Sequence, residues 1–363
     1  MLCILLASPV SGPRAWNGAG HRTISCLALA TTDLEAAPWL AAAKVHERIL
    51  FQSNEADRLR SRRSPALRHI NEAEHYFEVD QLGRLGLTLH TVPPLRRAYL
   101  RAIVVSEAPG GETAQQATAP QTLLAGPGFL AHAMAEHQEL LVAALHQVRI
   151  LEILDDPRRE IQLEQSRADV IHVLGRLSHL VGDGSQPLHT TRHFNGWNGV
   201  NPHGFTRSKA FHRLVDSRPG YSEALSCAAL ASRLWAPASK VEEAPGDADR
   251  SRATENAWPV GAAAPGAEQD TWDELLAYLA NTHAQVKPLY SLEREGLLSE
   301  PAGNTFIADR LLAGAAMLRL LLHGALQESQ PISADITRFT RQVKRPPRKE
   351  KPPAGKEPGR RHD

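Results

Sequence analysis

Apolar residues recur at the spacing of an α-helix along most of the chain, and strand-like alternation is scarce. One helix is predicted to begin at Asp155–Pro157, because acidic residues and a proline suit a first helical turn. It should run to about Val181 and end at Gly182 or Gly184. No repeat of fixed period is present. The pattern predicts an all-α protein, with apolar-periodic helices over Thr23–Thr31, Pro38–Phe51, Gly128–Leu154, Thr271–Leu289 and Thr305–Leu326.

Composition divides the chain into one structured body and two segments that are poor in core residues. The 363 residues can bury a sizeable core, and we expect a single domain over residues 16–328 with a flexible excursion at 236–270. Residues 329–363 predict a disordered basic tail, since ten Lys and Arg stand against three Asp and Glu from Arg338 to Asp363. A solvated extension is favoured here over a nucleic-acid-binding arm. The net charge of +1 gives no global reason to expect a nucleic-acid or membrane partner.

The first 15 residues are a short apolar run followed by small residues. This is typical of a secretory signal peptide cleaved after Ala15, although a basic start is missing and a frayed apolar terminus is the alternative. No other stretch has the roughly 20 apolar residues that a membrane span needs. We therefore expect a secreted or periplasmic protein, a monomer without a transmembrane segment. Cys26 and Cys227 would remain and could pair in an oxidising compartment.

Histidine and aspartate in the second half of the chain have the spacing of metal ligands. His179 and Asp183 are four residues apart and share one face of the predicted helix. The following Gln-Pro-Leu turn brings His189 back toward the helix end. His212 and Asp216 repeat the four-residue spacing. Imidazole and carboxylate without thiolate is the ligand set of a hydrolytic zinc site, and two such pairs around one turn are far more specific than one.

These motifs resemble those of the zinc-dependent single-strand nucleases of fungi and plants, whose superfamily includes zinc-dependent bacterial phospholipase C. The resemblance covers the motif-bearing parts of residues 16–216 and implies a single multi-helix domain with a trinuclear zinc site. That family begins with a mature N-terminal Trp and a nearby His, followed by an Asp, a His-aromatic segment and the two His-Asp motifs. Nine residues match in order: Trp16, His21, Asp57, His75, His179, Asp183, His189, His212 and Asp216.

The resemblance implies how three zinc ions would be held. The first would take Asp57, His75, His179 and Asp183, and the second His189, His212 and Asp216. The third would take the α-amino and carbonyl groups of Trp16 with His21 and a bridging Asp183, so cleavage after Ala15 would also complete the site. Asp57 is the least secure of these assignments, with two alternative carboxylates, Glu55 and Asp80.

The resemblance also implies a function and the residues that serve it. We expect an endonuclease that hydrolyses phosphodiester bonds of single-stranded DNA or RNA by a zinc-bound hydroxide, with Asp57 orienting the water. Arg60 would stabilise the transition state, Tyr76 would stack a base and Glu78 would hydrogen-bond it. The alternatives are a surface charge for Arg60 and a core aromatic for Tyr76.

The same candidate ligands are compatible with two other functions. Phospholipase C relatives share the zinc ligands but bind a phospholipid headgroup, and a zinc-stabilised helical binding protein without activity would keep the same cluster. The loop 193–205 is expected either to line a substrate cleft or to pack on itself, and its two histidines, His193 and His203, are not expected to be ligands.

Overall fold

The computed structural model describes residues 16–60, 64–106, 126–235 and 271–343, and every regular element within these ranges is a helix. The all-α prediction is therefore confirmed over this part of the chain. The α-helices are α1 (Gly18–Thr31), α2 (Ala43–Gln52), α3 (Glu55–Arg60), α4 (Pro65–Asn71), α5 (Arg96–Ser106), α6 (Leu130–Leu154), α7 (Glu160–Ser185), α8 (Phe211–Tyr221), α9 (Cys227–Trp235), α10 (Thr271–Ala284), α11 (Val286–Arg294), α12 (Pro301–Glu328) and α13 (Ser333–Val343). Short 3-10 helices lie at Pro38–Ala41, Ala73–His75, Val79–Leu85, Leu89–Thr91, Pro157–Arg159, Pro187–Thr190 and Glu223–Leu225.

Helix α7 lies at the centre of the fold. It packs against α6, α12, α2 and α1, and every residue from Leu177 to Ser185 is buried. The turn before α7 follows the sequence prediction, because Asp155 has a left-handed backbone (φ 42°) and the Asp156 side chain accepts a hydrogen bond from the Arg158 backbone. Because residues Leu177 to Ser185 of α7 are buried, the polar side chains among them lie inside the core.

Helix α7 continues through Gly182 and ends at Ser185, one residue beyond Gly184, the later of the two predicted ends. A Cβ on Gly182 would lie 2.5 Å from His21 Nδ1, and one on Gly184 would lie 2.8 Å from Tyr278 Cε1. These glycines admit neighbouring rings rather than ending the helix. The helix ends before Pro187, whose ring disfavours helical backbone at the preceding residue.

Two other boundaries differ from the sequence prediction. The run predicted over Thr271–Leu289 forms two helices, α10 and α11, and the run from Pro38 opens with a 3-10 turn before α2. Helix α1 begins earlier than predicted, because the Asn17 side chain accepts hydrogen bonds from the backbone N–H groups of Ala19 and Gly20.

The predicted tail starts too early, since Ser333–Val343 form α13. Asp335 lies 3.4 Å from His146 of α6, and the Arg159 guanidinium lies 5.2 Å from the centre of the Phe339 ring. An amphipathic helix that finds such partners can be ordered despite its basic composition. The predicted signal peptide 1–15, the excursion 236–270 and the remaining tail 344–363 lie outside the described residues.

A disulfide joins Cys26 of α1 to Cys227, the first residue of α9. Such a bond is compatible with an oxidising, extracellular compartment. Within the described ranges, none of the helices combines the length and the apolar character needed to span a bilayer.

Candidate metal centre

A buried cluster of histidine and aspartate side chains surrounds the C-terminal half of α7. That helix contributes His179 and Asp183, and α1 contributes His21 from its first turn. The other members come from α3, α8 and two 3-10 turns. Their possible ligand atoms form three groups, each with all atoms within 4.8 Å of one another: His21, Asp57 and His179; His75, His179 and Asp183; His189, His212 and Asp216.

The spacing within the central group suits a single small cation. Asp183 Oδ2 lies 2.8 Å from His75 Nδ1 and 3.3 Å from His179 Nε2, and the two ring nitrogens are 3.1 Å apart. A tetrahedral zinc with bonds of 2.0–2.1 Å would hold its ligand atoms roughly 3.3 Å apart. The three side chains are therefore already arranged at about that separation.

The two oxygens of Asp183 face different neighbours. Oδ2 faces His75 and His179, whereas Oδ1 lies 3.5 Å from His21 Nε2 and 3.9 Å from His189 Nδ1. The Asp183 carboxylate thus lies near four of the five histidines of the cluster. This is the position from which a carboxylate can bridge two cations.

The third group lies between the turn after α7 and α8. His212 Nε2 lies 3.3 Å from Asp216 Oδ2, and the His189 and His212 rings meet edge to face with centres 4.9 Å apart. Asp216 Oδ1 accepts a hydrogen bond from Gln186 Nε2 at 2.7 Å. One oxygen of Asp216 is thereby held by the protein while the other faces His212.

Backbone carbonyls set the protonation of two of the imidazoles. His179 Nδ1 donates to the Ser53 carbonyl at 2.7 Å, and His189 Nδ1 donates to the His75 carbonyl. Because a carbonyl can only accept, the proton resides on Nδ1 and the Nε2 lone pair is left for a cation.

Several polar atoms of the cluster are buried without a hydrogen-bond partner, and a cation would pair with one nitrogen of each imidazole and with the carboxylate oxygens. Burying a polar atom unpaired normally costs free energy, so such atoms mark an incomplete site. They are both ring nitrogens of His21 and of His212, His75 Nε2, Asp183 Oδ1 and Asp216 Oδ2. The residues present therefore fit divalent cations held by nitrogen and oxygen.

Electrostatics favour the same conclusion for His21 and His75, whereas at His179 burial is outweighed by the Asp183 carboxylate, which raises the pKa. Burial lowers the pKa of His21 to about 3 and that of His75 to about 4, so both imidazoles are neutral, the form that binds metal. Burial also raises the pKa of Asp216 well above its usual range. Burial opposes ionisation of Asp183 too, but His179 and the neighbouring imidazoles hold its pKa well below its usual range. A nearby dication would stabilise both carboxylates in charged form.

Asp57 and Arg60 lie at the exposed edge of the cluster. The Asp57 side chain is 25% exposed, whereas the side chains of His75, His179 and Asp183 are fully buried. Arg60 Nη2 donates to Asp57 Oδ1 at 2.7 Å, and its buried Nη1 has no hydrogen-bond partner. This edge is where a solvent-borne molecule can approach the group.

The alternative carboxylates have other partners. Glu55 pairs with Arg58, and Asp80 accepts hydrogen bonds from Thr191 Oγ1 at 2.8 Å and from the Arg192 backbone at 3.0 Å. Of the three carboxylates that the sequence offered for this position, Asp57 is the one grouped with histidines.

Trp16 lies beside the cluster but belongs to none of the three groups. It is fully buried, and its indole Nε1 donates to Ser185 Oγ at 2.9 Å. The next residue, Asn17, donates its backbone N–H to the Asp216 carbonyl at 3.0 Å. The start of the described chain is therefore anchored to the same two helices that carry Asp183 and Asp216.

Tyr76 and Glu78 follow His75 in an extended segment. Phe77 between them donates its backbone N–H to the His189 carbonyl at 2.8 Å, which joins this segment to the turn after α7. Tyr76 is half-buried beside Gly128, whose positive φ (89°) and lack of a side chain admit the Tyr76 backbone and ring. Burial and the nearby Asp80 raise the pKa of Glu78 to about 7. At neutral pH this carboxyl can either donate or accept a hydrogen bond.

The loop 193–205 packs on itself and on α11. The His193 and Trp197 rings stack with centres 3.9 Å apart, and Trp197 also meets Phe205 and Tyr290. His193 Nδ1 accepts a hydrogen bond from the Asn198 backbone. Neither His193 nor His203 belongs to the three groups.

The motifs of the sequence do not include two contributors to the centre. Gln186 lies in the predicted turn, and its position three residues after Asp183 is the signal that indicates it. The Ser53 contribution is a backbone carbonyl, so no side-chain pattern could reveal it.

Comparisons with protein families, with characterised proteins and with solved structures found no match to this chain.

Proposed function

We propose that this chain is an exported zinc-dependent phosphodiesterase that cleaves single-stranded nucleic acid. The observation that carries the proposal is the buried His/Asp cluster with unpartnered ligand atoms, open to solvent at Asp57. Nitrogen and oxygen donors without thiolate are typical of hydrolytic zinc sites. The disulfide between Cys26 and Cys227 is compatible with export.

The chain's residues would divide the work of holding three ions. Asp183 would bridge two of them, using His75 and His179 on one side and His21 on the other, together with the terminal amine of a processed Trp16. His189, His212 and Asp216 would hold the remaining ion. When bound, zinc lowers the pKa of coordinated water and neutralises charge on phosphoryl oxygens.

Asp57 and Arg60 would act at the open edge. Arg60 is held by Asp57 through Nη2, and its buried Nη1 would donate to an anionic oxygen of a substrate that reached past Asp57. A hydrogen bond to a charged group is about twice as strong as one between neutral groups, so this donor can stabilise developing negative charge. Asp57 would orient the attacking water.

Tyr76 and Glu78 support nucleic acid as the substrate class. Tyr76 is half-buried, and its ring would stack a base, which is worth about 1–3 kcal/mol per base. Glu78, with its pKa near 7, would hydrogen-bond the edge of that base. Neither feature is needed for a phospholipid headgroup.

The test combines metal analysis with two substrates. The protein ending in a free Trp16 amine is loaded with zinc, its metal content is measured, and it is assayed on single-stranded DNA and on phosphatidylcholine. We expect about three zincs per chain, cleavage of DNA that stops on chelation and returns with zinc, and no cleavage of the lipid. Cleavage of lipid alone would indicate a phospholipase C, zinc without turnover would indicate a binding protein, and a chain without zinc would overturn the proposal.

A further inference from the structure

Gln186 makes one hydrogen bond to the Asp216 carboxylate and another to the turn that carries His189, and both residues belong to the same group of ligands. Its Nε2 donates to Asp216 Oδ1 at 2.7 Å, and its Oε1 accepts from the Leu188 backbone N–H at 2.7 Å. Leu188 directly precedes His189, so the second bond holds the 3-10 turn that carries this histidine. The first bond holds the carboxylate 30 residues further along the chain.

The amide orientation follows from its partners. A carboxylate oxygen that faces an amide at this distance needs a donor, and a backbone N–H needs an acceptor. Both requirements are met by one orientation of the Gln186 amide. Gln186 is fully buried and Asp216 is 3% exposed, so no water competes for these bonds.

The bond to Asp216 leaves its other oxygen in place for a cation. Asp216 Oδ2 has no hydrogen-bond partner and lies 3.3 Å from His212 Nε2. Groups that orient metal ligands in this way raise affinity, and their loss typically weakens binding about 10–100-fold.

We propose that Gln186 is a positioning residue for the ion held by His189, His212 and Asp216. Its two hydrogen bonds orient the Asp216 carboxylate and hold the turn that carries His189, so both ligands are positioned for the same ion. This inference rests on the proposed zinc centre. It concerns one ion of that centre and leaves the ligands of the others untouched.

The test is Gln186→Met, which keeps the length of the side chain and removes both hydrogen bonds. The matched control is Gln138→Met, because Gln138 is also buried but donates to the Leu321 carbonyl, outside the cluster. Zinc affinities are measured by chelator competition on full-length protein, with circular dichroism as the check on folding. We expect one zinc per chain to bind about 10–100-fold more weakly in Gln186→Met, with the others within twofold, and no change in Gln138→Met.

A double-mutant cycle separates positioning from general stability. In an Asp216→Asn background, Gln186→Met should weaken that zinc by a much smaller factor than it does alone, because the carboxylate that it orients is absent. If Gln186→Met does not fold, Gln186→Leu replaces it, since leucine also lacks the donor for Asp216 and the acceptor for Leu188; the same selective loss is expected.

Three results would contradict the inference. They are unchanged zinc affinities, equal weakening of all ions, or full additivity in the cycle. A wild-type chain that binds no zinc overturns the proposed function and this inference together, whereas a wild type that binds zinc beside an unaffected variant overturns this inference alone.

Discussion

At the scale of single residues, Asp183 has the most connections within the centre. Its two oxygens face His75 and His179 on one side and His21 on the other, in a fully buried environment. An asparagine of the same shape offers only one acceptor and no charge. Loss of the Asp183 carboxylate should therefore weaken the binding of two ions.

We expect Asp183→Asn to lose two zincs per chain and to abolish phosphodiester cleavage. Metal analysis after dialysis and a single-stranded DNA assay would check this. His193→Ala is the control: His193 belongs to none of the ligand groups, so the variant should keep its zinc. Full metal content in Asp183→Asn would contradict the bridging position.

A second residue-scale prediction concerns acid stability and His132 of α6. Its Nε2 donates to the Pro93 carbonyl, and its ring stacks on Tyr99. Burial lowers the pKa of His132 to about 4, against about 6.5 in an unfolded chain. Between these values the unfolded state takes up a proton that the folded state does not, so stability is complete above pH 6.5 and falls as the pH is lowered.

We expect protonation of His132 in the unfolded chain to lower the free energy of unfolding by about 2 kcal/mol between pH 7.5 and pH 5. Urea unfolding of chelator-treated protein at both pH values would show it, with a smaller loss in His132→Gln. His90→Gln, at an exposed position, should keep the wild-type pH dependence. An equally steep loss in His132→Gln would show that other groups are responsible.

At the scale of elements, α7 combines a core helix with a ligand-bearing face. His179 and Asp183 were predicted from their four-residue spacing, and α7 does place them on one face. Glycine is a common helix terminator, which predicts an end at Gly182 or Gly184, but both glycines also have a packing role here. Each lies where a ring of another helix approaches too closely for a Cβ.

Gly182→Ala should disturb the centre through His21. The added methyl would lie 2.5 Å from His21 Nδ1 against a fully buried ring, so the ring must move. We expect a net loss of about 1–3 kcal/mol in unfolding free energy and weaker zinc binding. Urea unfolding and zinc titration measure the two effects.

Gly324→Ala is the matched control in α12. A Cβ there would meet only ordinary contacts, at 3.7 and 3.9 Å, so alanine should raise stability by up to about 1 kcal/mol through its helix propensity. Equal effects of the two substitutions would show that the close approach of His21 to Gly182 does not determine the loss of stability.

At the scale of the whole molecule, the centre depends on helices that are distant in sequence. Helix α1 carries His21 and is joined by the Cys26–Cys227 disulfide to α9, 201 residues later. A crosslink over so long a loop restricts the unfolded chain, and such bonds typically contribute about 2–5 kcal/mol. The bond therefore stabilises the packing of α1 next to the cluster.

We expect a Cys26→Ser/Cys227→Ser variant to lose about 2–5 kcal/mol of unfolding free energy. Denaturant unfolding with and without reductant would measure it. Reductant should lower the stability of the wild type to that of the variant and leave the variant unchanged. A wild type that is insensitive to reductant would contradict the stabilising role.

The sequence by itself determined the helical architecture and indicated His179, Asp183, His212 and Asp216 as candidate ligands. Helical periodicity is a local property, so α1, α6, α7 and α12 were predictable in kind. The His-Asp pairs were visible because a four-residue spacing on a helix fixes two side chains relative to each other without any tertiary contact.

Only the tertiary structure decided which of these residues meet. It grouped Asp57 rather than Glu55 or Asp80 with the histidines, and it turned Gln186 toward Asp216. It also ordered Ser333–Val343, which composition assigned to a tail. The physical reason is the same in each case: contacts between residues far apart in sequence depend on how the helices pack, and packing is a property of the whole core.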